Sequence, residues 1–362
     1  MFVAWRDLRF AKGRFTLMGT VIVLITLLVG LLSGLTAGLA RENVSAITGL
    51  PADRLAFAAP PSGQSVSFTN STVTESQWRQ WAGRPGMTSA QPLGIRTLNA
   101  AAGERTAAVS AFGTEPSAGL APQSGKLGPG RVVLSESAAE ELGVGVGGAV
   151  RLGPLEADVA AVAGDASYSH TPVVWTSLDD WQKLGHNGTT PEEQATVIAL
   201  RTGDGGVDLA AGDKALGTES RTIDEALTAI GSYQAENGSL QLMRGFLFVI
   251  SALVIGAFFT VWTIQRSGDV AVLKALGAST PYLLKDALGQ AVLMLGAGTL
   301  LGTALAVGIG ALVSGGDVPF VLEPLTVLGP AAVIIVLGVL GAALSIRRIT
   351  AVDPLTALGS AR

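Results

Sequence analysis

Four stretches of this chain carry no charged residue, namely 15–40, 245–265, 287–316 and 324–346, and they run for 26, 21, 30 and 23 residues. A helix needs about 20 apolar residues to cross the hydrocarbon core of a bilayer. The pattern predicts a membrane protein with four transmembrane α-helices in a 1+3 arrangement. A large α+β extracytoplasmic domain lies between the first and the second. The segments read as a cytoplasmic interfacial helix at 1–14, spans at 15–40, 244–265, 285–313 and 325–346, an extracytoplasmic domain and stalk at 41–243, a cytoplasmic loop at 266–284, an outer loop at 314–324 and a cytoplasmic tail at 347–362.

Inside 41–243 the apolar period changes to that of short strands and helices. "GRVVLSESAAEELGVGVGGAVRLG" predicts a strand at 131–134, a helix at 135–142 capped by Ser135 or Ser137 and stopped by Gly143, and a strand at 149–152. "EADVAAVAGD" and "ATVIALRTG" read as strands. "TPVVWTSLDDWQKLG" reads as a strand at 172–176 and a helix at 177–184 with Ser177 as its N-cap. From about 221 the helical period returns, with Ile223, Leu227, Ile230 and Tyr233 on one face. This is a stalk leading into the second span, with a break expected in "ENGSL" at 236–240.

The loop between the second and third spans is punctuated like a helix of its own. Asp269 or Ser267 can cap it, Gly277 can end it, and Thr280 can cap the next helix with Pro281 at its first position. A helix over 269–276 presents Val270, Leu273 and Leu276 on one side, and two turns need a surface to pack against. That surface is either the chain's own spans or a soluble partner. In the first span, Gly30, Gly34 and Gly38 recur every four residues. This spacing lets helices approach closely and predicts a helix–helix seam, read as the contact between two copies in a homodimer.

Charge orients the spans. The segments 1–14, 266–286 and 347–362 carry ten basic against four acidic residues, while the whole chain is −4. Short basic loops stay in the cytoplasm, so both termini are expected there, the 41–243 domain outside, and the protein in the plasma membrane. Only 14% of residues are charged and there is no Cys, which excludes disulfides and thiolate metal ligands. No metal site and no nucleic-acid partner are expected. None of the six lysines is followed by Ser or Thr, so the chain lacks the G-x-x-x-x-G-K-[ST] phosphate cradle. No catalytic constellation stands out, and an enzymatic role is not expected.

"QRSGDVAVLKALGAS" resembles the loop after the second span of FtsX-like permeases, the MacB class of ABC transporters. "ITAVDPLTALGSAR" is similar to that family's C-terminal tail, "RDLRFAKGRFTLM" to its N-terminal elbow, and "VVLSESAAEELGVGVGGAV" to its extracytoplasmic strand–helix–strand. The resemblance implies a homodimeric permease bound to a separate ATPase subunit that holds the ATP. It implies a coupling helix built from Asp269, Val270, Leu273, Lys274, Leu276 and Gly277. It also implies export by mechanotransmission rather than through an aqueous channel.

Within that family the short chain is most similar to the haem-efflux permease subunits of Gram-positive bacteria. The resemblance implies haem as the transported ligand, with no cofactor intrinsic to the chain. Haem iron takes an axial His, Tyr or Met, and the chain has two His, three Tyr and five Met. The candidates on the outer side are Tyr168, Tyr233, His170, Phe57 and Met243. Each has a plainer reading, since Tyr233 continues an apolar stripe and Tyr168 and His170 sit in a polar loop. Two other functions stay open: a scaffold that passes the ATPase state to an extracellular hydrolase or lipoprotein, and drug or peptide efflux by the same machine.

Overall fold

The computed structural model describes residues 12–185, 193–203, 206–265, 268, 272–274, 276–314 and 318–350. The chain divides into two units, Met1–Gly38 with Ser239–Arg362 and Leu39–Gly238. The helices are α1 (Lys12–Thr48), α2 (Glu75–Ala82), α3 (Glu136–Leu142), α4 (Leu178–Lys183), α5 (Leu209–Leu216), α6 (Ile223–Ala226), α7 (Gly231–Gln265), α8 (Thr280–Val313) and α9 (Pro324–Thr350). The strands are β1 (Arg54–Ala58), β2 (Val73–Thr74), β3 (Met87–Ala102), β4 (Arg105–Thr114), β5 (Arg131–Leu134), β6 (Ala149–Leu152), β7 (Leu155–Val162), β8 (Ser167–Tyr168), β9 (Thr171–Ser177), β10 (Gln194–Ala195), β11 (Val197–Thr202) and β12 (Thr218–Thr222).

The first unit holds four helices long and apolar enough to cross a membrane, drawn from α1, α7, α8 and α9. They pack around Ile22, Val29, Phe259, Leu295 and Ile334. Glycines set the closeness of that packing. A Cβ on Gly302 would lie 2.7 Å from the Val23 carbonyl oxygen and the Thr26 Cβ of α1, and one on Gly338 would lie 2.6 Å from Leu295. Such contacts replace the hydrophobic drive that lipid cannot supply. Thr260 of α7 and Ser345 of α9 share a hydroxyl hydrogen bond of 2.9 Å. The opposite helix faces expose Leu24, Leu28, Leu253, Leu300 and Leu340. That much bare apolar surface is a liability in water and ordinary in lipid.

The second unit is an α+β domain built on one sheet in the order β12-β1-β11-β3-β4-β9-β5-β7-β6. β6 also pairs with β3 through Ala100 and Ala101, so six of the strands close into a ring. β3 makes this possible because its 16 residues outrun any single partner. Its early part pairs with β11 up to Leu93 and its last part with β6. The ring is filled by Val109, Val132, Leu134, Val150 and Leu152, with Ala138 and Leu142 of α3 laid against it. A second cluster around Phe57, Phe68, Phe112, Tyr168 and Trp175 receives Val44, Ala46 and Ile47 from the end of α1. A third gathers Trp78, Trp81 and Trp181.

Most elements follow the sequence signals. Ser135 caps α3 by accepting from Ala138 N, Gly143 ends it at φ 62°, and Ser177 caps α4 by accepting from Asp180 N. Four expectations need correction. The stalk does not break at 236–240, because α7 runs unbroken from Gly231; the break falls at Ile230, whose extended backbone (ψ 114°) separates α7 from the short turns before it. Residue Ser279, not Thr280, stands at the N-cap of α8, with Pro281 in its first turn. The helix of the first span does not stop at 40: α1 continues to Thr48, and its last turns belong to the second unit.

The fourth correction concerns Gly30, Gly34 and Gly38. Rather than offering a bare face to another copy, they meet residues of the same chain. A Cβ on Gly34 would lie 2.3 Å from the Phe320 ring, one on Gly38 2.1 Å from the Pro319 carbonyl oxygen, and one on Gly30 2.9 Å from Ala306 Cβ. The small stripe exists so that α8 and the loop before α9 can reach α1.

Candidate functional site

Two sites in the extracytoplasmic unit collect polar side chains that the hydrophobic pattern does not explain. The first is a cleft of about 430 Å³ lined by Phe68, Ile95, Arg96, Tyr168, Trp181 and Gln194 with several neighbouring hydroxyl residues. It opens along the edge of β3 between its two partners, beyond the last β11 pairing at Leu93 and short of the β6 pairing at Ala100. Thr196 caps the gap: its hydroxyl accepts from Ile95 N at 2.8 Å, and its own N–H donates to the Leu93 carbonyl at 3.0 Å.

The floor of this cleft depends on a pair of glycines. Gly94 of β3 and Gly113 of β4 face each other across the strands. A Cβ on Gly94 would lie 2.3 Å from the Trp181 ring, and one on Gly113 would lie 2.2 Å from Trp181 Cβ. Only bare backbone admits the indole here. Asp180 fixes α4 over that socket: although 1% exposed, it accepts from Gly130 N at 2.7 Å and from Lys183 Nζ at 2.8 Å. The Arg96 guanidinium then lies 5.4 Å from the Trp181 ring centroid, a cation–π contact. Its Nη1 donates to the Leu184 carbonyl at 3.4 Å, at the C-terminus of α4.

Tyr168 closes the other side, held in a chain of edge-to-face rings with Phe68 at 5.7 Å and Phe112 at 5.6 Å. Burial pushes its phenol well above the usual value, so at neutral pH it is a neutral hydroxyl. No hydrogen bond to that hydroxyl occurs among the described residues.

The second site is the turn between β8 and β9. Ser169 and His170 adopt φ 50° and 61°, the left-handed region that costs an L residue free energy unless neighbours hold it there. They are held. The Ser169 and His170 amides donate to the Asn43 and Glu42 carbonyls at 2.9 and 3.3 Å. His170 Nε2 is 2.9 Å from Glu236 Oε2 and 3.1 Å from Asn43 Nδ2. Ser232 Oγ donates to Asn43 Oδ1 at 2.8 Å and shares a 2.8 Å contact with Ser169 Oγ. The turn thus fastens the end of α1 to the start of α7.

The five haem-contact candidates fall in different surroundings. Tyr168 lines the cleft, and Phe57 lies beneath it, fully buried and 4.9 Å from Phe68 by ring centroids. His170 is engaged by the turn cluster. Tyr233 is half-buried against the aromatic core. Met243 belongs to the membrane unit and is exposed on α7. Sequence reasoning missed Arg96 and Trp181. The signal available was the pair Gly94 and Gly113, each interrupting a strand where a side chain would normally point into the core. Among the described residues no group of three or more His, Asp or Glu side chains is arranged to hold a metal.

In the membrane unit, part of the expected coupling helix is described. Val272–Lys274 are helical, and the turn closes with Gly277 N donating to the Lys274 carbonyl at 3.1 Å and Ala278 N to the Leu273 carbonyl at 3.0 Å. Gly277 sits at φ 95°, the left-handed residue that this helix ending requires. Leu276 is 80% exposed and Leu273 36%. Asp269 and Val270 lie outside the described residues, as do 1–11 at the N-terminal elbow and Asp353 in the tail.

Comparison with known proteins gives this architecture its family. The MacB-like periplasmic core domain matches residues 15–219, and the FtsX-like permease C-terminal family matches residues 242–354. The chain belongs to the MacB/FtsX class of ABC transporter permeases. Among its relatives is a protein of Staphylococcus haemolyticus provisionally named hemin transport system permease protein HrtB, 26% identical over 99% of both chains. Another is an uncharacterized ABC transporter permease of Mycobacterium tuberculosis, 23% identical over 99% of both. The periplasmic region of MacB from Actinobacillus actinomycetemcomitans aligns with 49% of this chain and 92% of its own, at 14% identity and a TM-score of 0.35.

Proposed function

We propose that this chain is the permease subunit of an efflux system that extrudes haem from the membrane, working as a homodimer with a separate ATPase subunit. The observation that carries the cargo is the end-to-end likeness to relatives named as hemin transport permeases, which covers 99% of both chains. The ATPase is needed because the chain carries no P-loop lysine motif. Leu273, Lys274, Leu276 and Gly277, with Asp269 and Val270, form the face on which it docks. The continuous helices α1 and α7 carry its closure to the extracytoplasmic domain. Both termini are cytoplasmic in this reading.

Haem is an amphiphile with a flat apolar body and two carboxylates, and it partitions into bilayers. A permease that collects it from the membrane needs no charged channel, and the charge-free runs of the spans suit that route. Titration of the purified full-length permease with haemin, followed by absorbance, tests the cargo. A saturable Soret shift is expected. Absorbance that rises only in proportion to added haemin, as for detergent alone, overturns the haem reading and leaves the permease class standing.

A further inference from the structure

We propose that the cleft beside β3 is a carboxylate-binding site anchored by Arg96, and that it takes the propionate edge of haem; the second clause rests on the haem reading above. Among the described residues, Arg96 is the only charged one lining the cleft. A guanidinium has five N–H donors, and among the described residues the one hydrogen bond this one makes is the long one to the Leu184 carbonyl. No carboxylate pairs with it among the described residues. A half-buried cation with most of its donors unspent, facing an open cleft, is matched by an anion.

The rest of the lining says which kind. A further donor lines the cleft: the Tyr168 hydroxyl, on a residue 7% exposed, makes no hydrogen bond among the described residues. Buried polar groups normally find a partner. One that lines an open cleft, on a residue more than nine-tenths buried, therefore points to a ligand acceptor. Phe68 and Ile95 supply apolar wall beside these donors, so the ligand couples a carboxylate to an apolar body. The volume lies in the range of small-molecule sites. Arg and carboxylate pair through two parallel hydrogen bonds, the strongest geometry available to this cleft. Tyr168, kept neutral by burial, donates to the carboxylate rather than ligating iron.

The placement has a structural logic. Gly94 and Gly113 give Trp181 its seat, Trp181 gives Arg96 a face to lie on, and Gly185 leaves room for the guanidinium, since a Cβ there would lie 1.4 Å from its Nη1. Three glycines, on β3, on β4 and in the turn after α4, therefore converge on the position of one cation.

The test uses the full-length permease in detergent and compares haemin with haemin dimethyl ester, whose carboxylates are blocked. The expected result is that the ester binds about tenfold more weakly, the equivalent of about 1.4 kcal/mol. Arg96→Gln should weaken haemin by a similar factor and abolish the difference between acid and ester, and Arg96→Lys should restore part of it. Equal affinity for both ligands, or discrimination that survives Arg96→Gln, overturns the cleft assignment while haem binding stands. No saturable binding of either ligand removes the haem reading and this inference with it. Should Arg96→Gln fail to fold, the comparison of the two ligands on the unchanged protein still decides.

Discussion

His170 Nε2 lies 2.9 Å from Glu236 Oε2, joining the turn between β8 and β9 to the first turns of α7. Asn43, at the end of α1, touches both groups, at 3.1 Å from the imidazole and 3.3 Å from the carboxylate. One imidazole thus fastens two helices to a turn whose own backbone is strained. The pair is partly exposed, so its net worth is modest, about 1 kcal/mol by the usual scale for hydrogen bonds and surface ion pairs. His170→Ala is expected to leave the fold intact and to speed hydrogen exchange at the Ser169 and His170 amides, which donate to the end of α1. Unchanged exchange at both amides would show that the backbone contacts hold the turn unaided.

Tyr168 separates ring from hydroxyl. The ring packs against Phe68 and Phe112, whereas the hydroxyl has no protein partner among the described residues. Tyr168→Phe should be nearly neutral in thermal stability, and Tyr168→Ala should cost about 3–5 kcal/mol as a large core truncation does. A large loss of melting temperature in Tyr168→Phe would reveal a buried partner for the hydroxyl. Only the Phe variant is informative for ligand binding, because the Ala variant removes a wall of the core.

The glycines of α1 give a prediction that distinguishes packing within one chain from packing between copies. Gly34→Leu places a side chain where the Phe320 ring lies, so it should destabilise the membrane unit, by about 1–3 kcal/mol for an overpacked site. A seam between copies would instead lose dimer while each monomer kept its stability. Thermal melting and light scattering of the same sample in detergent tell the two apart.

Leu276 is an apolar side chain left in the open at the end of the loop between α7 and α8. Leu276→Asp is expected to release the ATPase subunit while the permease stays in the membrane at its normal level. Co-purification of the ATPase at the wild-type ratio would sink the docking-face assignment.

At the start of α6, Thr222 and Glu225 cap each other: Thr222 N donates to Glu225 Oε2 at 3.0 Å and Glu225 N to Thr222 Oγ1 at 3.3 Å. The backbone hydrogen bond from Thr222 holds the Glu225 carboxyl below its usual value. A depressed carboxyl stabilises the fold above its unfolded pKa, and that stabilisation is lost as pH falls through the folded one. Glu225→Gln should therefore lower stability near neutrality and have little effect in acid. An effect of equal size at both pH values would contradict this origin.

Much of the architecture was legible in the chain because its signals are coarse. Charge-free runs of 21 to 30 residues have one ready reading in a bilayer, and Ser135, Gly143 and Ser177 announce caps that need no tertiary help. What escaped depended on partners distant in sequence. Gly30, Gly34 and Gly38 show a small-residue stripe, but nothing local says that Phe320 and Pro319 fill it. The break at Ile230 was missed because Gly238 is the stronger helix breaker by propensity, yet α7 runs through it uninterrupted. The cleft was invisible for the same reason: Arg96 and Trp181 meet only because Gly94 and Gly113 pair across β3 and β4. The chain's chemistry-bearing residues are few, and Tyr168 drew notice through its rarity rather than its surroundings.

The most direct measurement of the central claim is the haem content of membranes from cells supplied with haemin and expressing this permease with its ATPase subunit, against cells in which that ATPase cannot hydrolyse ATP. The account predicts less membrane haem in the first, with the difference lost in Leu276→Asp. Equal haem in both, with the complex assembled and hydrolysing ATP, would contradict haem extrusion by this chain.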